Sequence, residues 1–147
     1  MYKQSFLDNP VVLFILLVFV GVVNIFLPVH FLSLLMLGVI YMGFAKSLEQ
    51  ESYYSLSFMI IAFSIVELAQ GLKLFSLSLL GFFIYIFIAP RLKNALSSTK
   101  IFTLLIVFIF YVGTALLFNF LAEIDLELIA ILLANYFIDI LFLAVLL

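Results

Sequence analysis

Residues Ile101–Leu121, IFTLLIVFIFYVGTALLFNFL, run from one end to the other without a charged side chain. The first half of that stretch, like Val11–Val23, is apolar on every side and shows no alternation of apolar with polar positions. In hydrocarbon each backbone N–H and C=O must be paired internally, which leaves helices or a closed barrel. A barrel needs strands that alternate in polarity. These stretches therefore predict helices, and helices that are wetted nowhere.

The rest of the chain agrees. Of 147 residues, 69% are hydrophobic and 10% charged, with a mean hydropathy of +1.48. A soluble domain carries about a quarter charged residues because its surface must be hydrated. The polar residues here are too few to cover one. The composition predicts a single all-α transmembrane domain over residues 1–147, with lipid as its solvent.

Charges and turn formers divide the chain into six pieces. Helix one is expected over Pro10–Leu27, ending near Pro28, and helix two over Val29–Ala45. Helix three is expected over Tyr53–Gln70, with Gly71 as a stop. Helix four should cover Leu72–Ala89 and be closed by Pro90. Helix five should begin at Ile101, after the Ser97-Ser98-Thr99 capping cluster, and end near Leu121. Helix six should run from Leu126 to Leu147. The early apolar stretch has no convincing small-residue cleavage site, so a retained first helix is expected.

With the N-terminus inside, Lys3, Lys46, Arg91, Lys93 and Lys100 all face the cytoplasm. Only Lys73 falls outside, and Glu123, Asp125 and Glu127 share an outer loop that has no basic residue. This positive-inside pattern predicts six spans with both ends cytoplasmic. The heavy use of Phe, Leu and Ile suits an AT-rich bacterial genome, so the bacterial inner membrane is expected. The longest connection, about Arg91 to Lys100, is too short to fold as a domain.

An ionisable residue within a span is costly, and it marks a site to be explained. Two occur, Glu67 in helix three and Asp139 in helix six. At about 1.5 Å per residue they lie in different layers, roughly 6 and 20 Å below the outer boundary, so a shared proton is not expected. Asn24 and Asn119 fall at the level of Glu67. The three form either a small-solute pocket open to the periplasm or helix-end groups that reach the headgroups. Asn135 precedes Asp139 by one turn on the same face, beside the small pair Ala130 and Ala134. That group is either packing within the bundle or a face for a partner helix.

The chain has no cysteine. Its one histidine, His30, has no second ligand within a turn, and a metal site needs several. No nucleophilic serine context, glycine-rich phosphate loop or HExxH motif occurs. Tyr2, Tyr53, Tyr54 and Tyr111 are expected as interface anchors or core. No enzyme, metal or cofactor is expected, and a net charge of -2 does not suggest nucleic acid.

The stretch Glu67-Leu68-Ala69-Gln70-Gly71, which closes one helix and leads into the next, resembles the Asp-Leu-x-x-Gly signature of the rod shape-determining MreD family. Phe31–Tyr41 is similar to that family's apolar second segment. Ile84-Tyr85, the basic Arg91-Leu92-Lys93-Asn94 and Asn135 fall about where the family has a tyrosine, a basic turn and a polar position. The resemblance implies a membrane scaffold of the elongasome, acting in cell shape and peptidoglycan synthesis. Its partner is an MreC-like protein, and through it MreB, the RodA glycosyltransferase and a penicillin-binding transpeptidase. It also implies a fold similar to the S components of energy-coupling factor transporters. Such a substrate-binding S component is the rival expectation, with Asn24, Glu67 and Asn119 around a small solute.

Overall fold

The computed structural model describes residues 9–26, 36–121 and 126–146, with the backbone alone for 23–26 and 146. Among these residues there are helices and no strands. In chain order they are α1 (Pro10–Phe26), α2 (Leu37–Glu49), α3 (Tyr53–Gln70) and α4 (Ser76–Phe83). A π-helical turn, Ile84–Ile88, joins α4 to α5 (Ala89–Ala95), and α6 (Thr99–Leu121) and α7 (Leu126–Leu146) follow.

Among the described residues, four helical stretches are long and apolar enough to cross a membrane: Tyr53–Gln70, Ser76–Ala95, Thr99–Leu121 and Leu126–Val145. Pro10–Val22 is a shorter apolar helix. Outward-facing side chains are large and apolar. Along α7 the exposed positions Ile129, Leu133, Phe137, Leu141 and Val145 recur every fourth residue and make one continuous stripe. Asn135 and Asp139 on the same helix point inward. Apolar residues outside and polar ones inside suit hydrocarbon as the solvent.

Several expectations change. Helix two is not Val29–Ala45. α2 starts at Leu37, because Met36 is left-handed with φ 66° and breaks the helical path. It then continues to Glu49, with Lys46 favourably placed in its last turn. Residues 27–35 lie outside the described part of the chain. At 13 residues α2 is about 20 Å long, less than a hydrocarbon core of about 30 Å. It is instead the central element, packed against α3, α4, α6 and α7 and buried continuously from Leu37 to Phe44.

Pro90 does not close helix four. The helix continues to Ala95, and Pro90 stands in the first turn of α5 immediately after the π-helical turn. Proline within an α-helix loses a hydrogen bond and clashes with the carbonyl four residues back. The wider π turn makes room for the ring, and the chain passes on. The connection expected over Arg91–Lys100 accordingly shrinks to residues 96–98. α6 begins at Thr99, two residues before the expected start, with the Phe102 N–H bonded to the Ser98 carbonyl at 3.0 Å.

The core is aromatic where α2, α3 and α6 meet. Tyr41 stacks on Phe110 with centroids 4.4 Å apart, and Phe63 packs against both Phe110 and Phe44 at 5.7 and 5.6 Å. α1 lies outside this core on α3, burying Leu13, Leu16 and Val20. Tyr53 and Tyr54 are exposed, as interface anchors are.

Candidate functional site

Both carboxylates within the apolar helices are fully buried, and each is occupied by backbone. Asp139 on α7 accepts through Oδ2 from the Gly38 N–H at 2.6 Å and from the Tyr111 hydroxyl. Gly38 lies in the first turn of α2, where backbone donors have no partner within the helix. A carboxylate satisfies such a donor and also meets the positive end of the helix dipole. The approach depends on glycine. A Cβ at Gly38 would stand 2.7 Å from Val107 and 2.9 Å from the Asp139 oxygen. One side chain thus ties α7, α6 and α2 together. Around it, Tyr111 and Tyr136 meet edge to face at 5.8 Å, and the Tyr136 hydroxyl donates to the Leu104 carbonyl at 3.3 Å.

Glu67 works in the same way at the far end of α3. Its Oε1 accepts from the Leu77 N–H and its Oε2 from the Phe75 N–H, both at 2.6 Å. Phe75 is the cap position of α4 and has no side-chain acceptor of its own. Glu67 reaches over from the preceding helix and supplies one. The turn between them is set by Gly71, left-handed at φ 68°. The Leu72 N–H returns to the Glu67 carbonyl at 2.8 Å and the Gly71 N–H to the Leu68 carbonyl at 3.3 Å, a Schellman closure. The Glu67-Leu68-x-x-Gly71 motif is therefore a clasp between two helices, made of a side chain, two carbonyls and a glycine. Leu68 itself is exposed.

The remaining candidates divide. Asn119 is exposed and shares no hydrogen bond with Glu67, and the Asn24 side chain is outside the described residues. The structure does not bring those three into one pocket. Asn135 is 1% exposed, and neither polar atom of its amide has a partner. Ala130 and Ala134 are exposed, on the outward side of α7. The group read as one partner or packing face is thus split, with Asn135 and Asp139 turned to the bundle and the alanines turned away. His30, Lys3, Tyr2, Glu123 and Asp125 lie outside the described residues. No cluster of three or more metal-ligating side chains occurs among those described.

Two features escaped the sequence reading. Gly38 carries no signal beyond its small size, since its partner is 101 residues away. The second is a cavity of about 840 Å3 at the opposite end from Gly71, lined by Tyr41, Lys46, Lys93, Lys100 and Thr103 among others. Glu49 and Lys93, 3.2 Å apart, close one side of it. Lys46, Lys93 and Lys100 therefore share one end of the bundle, as the charge pattern predicts, and Lys73 lies in the Gly71–Ser76 turn at the other.

Fold and site define an all-helical protein built for hydrocarbon, with its intramembrane acids turned to helix termini. The chain matches no protein family, no curated protein and no solved structure.

Proposed function

We propose that this chain is a non-enzymatic, multi-pass scaffold of the bacterial inner membrane. Its place is in the rod complex, where it holds an MreC-like protein beside RodA and its penicillin-binding transpeptidase. The observation that supports this best is the engagement of Glu67 and Asp139 with the backbone of α4 and α2. Buried acids of a transporter or proton path face a cavity or each other. Here they fix helix geometry, and the Glu67 clasp coincides with the motif that resembles MreD.

A scaffold needs a surface as well as a rigid frame. The exposed Ala130 and Ala134, one turn apart on α7, allow a second helix to approach closely. The S-component reading needs several polar groups converging at the outer end. Glu67 is already engaged there and Asn119 faces outward, which favours the scaffold.

A photo-crosslinking residue placed at Ala134, with one at Leu79 on α4 as the control, tests this in native membranes. The scaffold reading expects an adduct with a single-pass MreC-like protein from position 134. An adduct with a transporter subunit from that position, or none that differs from the control, overturns it.

A further inference from the structure

The cavity at the lysine end has the chemistry of a lipid site. Its walls come from α2, the π-helical turn, α6 and α7, and they are apolar, with Ile106, Ile140 and Leu143 among them. Among the described residues its rim carries Lys46, Lys93 and Lys100 against one acid, Glu49. The N-terminus of α6, at Thr99, adds the positive end of a helix dipole to the same rim. Deeper in the wall is Tyr41, buried completely, with a hydroxyl that has no hydrogen-bond partner.

Each feature selects. About 840 Å3 falls within the range of about 300–1,000 Å3 in which proteins hold small ligands. Apolar walls between helices disfavour a soluble anion, which has nothing to set against them. Basic groups at the edge of an apolar slot attract an anionic headgroup. Tyr41 and Lys46 are five residues apart on one helix, about 7.5 Å along its axis. A molecule that is anionic at the rim and carries an acceptor some way down, before its chains begin, satisfies both.

We propose that this cavity binds an anionic phospholipid of the adjacent leaflet. The phosphate sits among Lys46, Lys93 and Lys100 at the rim, the Tyr41 hydroxyl donates to a glycerol ester carbonyl, and the acyl chains lie along α6 and α7.

The test uses the full chain, delipidated in mild nonionic detergent, with phosphatidylglycerol and phosphatidylcholine titrated separately. Bound lipid is read by native mass spectrometry. Phosphatidylglycerol is expected to bind more tightly. Lys46→Gln and Lys100→Gln should each weaken it about fivefold, taking about 1 kcal/mol per basic group. Lys73→Gln, at the other end of the bundle, should change nothing. Tyr41→Phe should weaken binding about two- to tenfold, the range for one hydrogen bond. It should leave the lipid-free protein folded, because that hydroxyl has no partner to lose. Equal affinity for the two lipids, or an unchanged preference in the lysine variants, overturns the proposal. So does inorganic phosphate displacing phosphatidylglycerol at equal concentration, which would mark a site for soluble anions.

Discussion

The Asp139 carboxylate lies 2.6 Å from the backbone nitrogen of Gly38, so the last helix holds the first turn of the central one. α2 is too short to span by itself and starts inside the bundle. Its first turn is buried, and Asp139 supplies an acceptor for the Gly38 N–H there.

Replacing Asp139 by leucine removes that acceptor and strands both the Gly38 N–H and the Tyr111 hydroxyl. At about 1–3 kcal/mol for each buried unpaired group, a loss of about 2–6 kcal/mol is expected. A thermal melt in detergent should show a clear fall in Tm. Asp139→Asn keeps a carbonyl acceptor and should retain much of the stability. Equal behaviour of the two variants would contradict the hydrogen-bonding role.

Gly38→Ala probes the same junction from the other side. The new methyl meets Val107 of α6 at 2.7 Å and the Asp139 oxygen of α7 at 2.9 Å, so these side chains or their helices must give way. Overpacking of this kind costs about 1–3 kcal/mol. The comparison is Gly21→Ala, whose nearest neighbour, Ile65, is at 3.6 Å, and this variant should be close to neutral.

Glu67→Ala should uncap α4 and lower stability by about 1.5–3 kcal/mol, the range for hydrogen bonds to a charged group. Gly71→Ala should cost about 1 kcal/mol or slightly more, since alanine resists the left-handed conformation. Hydrogen exchange at Phe75 and Leu77 gives the local readout. Faster exchange there in Glu67→Ala, with α6 unaffected, is the expected pattern.

Asn135→Leu should behave in the opposite sense. Both amide atoms are buried without partners, and exchanging such a group for an apolar one of similar size is neutral or stabilising. An unchanged or higher Tm is expected. A large loss would mean that the amide is paired in the membrane.

The long spans were legible because all-round apolarity is a local property. Tyr53–Gln70 and the Gly71 stop follow directly from composition and one residue type. Pro90 misled because its usual effect is to end a helix, and the π turn that accommodates it involves only ordinary apolar residues. α2 misled for a similar reason. Hydropathy records that a segment avoids water, and a helix surrounded by other helices does so as well as one surrounded by lipid. At the candidate site, Glu67 and Asp139 stood out because acids in hydrocarbon are expensive. Their roles did not, because both depend on contacts across a turn or across the bundle. The outer layer of Asn24, Glu67 and Asn119 rested on depth alone. Depth fixes a level along a helix but not the direction in which a side chain points, and Asn119 points outward. The cavity was invisible since its lysines are spread over three helices.

Mild-detergent purification of the chain from native membranes, with mass spectrometry of what accompanies it, tests the scaffold reading most directly. Recovery of an MreC-like protein with RodA or a penicillin-binding transpeptidase, reduced by Ala134→Phe but not by Leu79→Phe, is the expected result. Recovery of an ATPase with a second transport subunit would contradict it and make the chain a substrate-binding component.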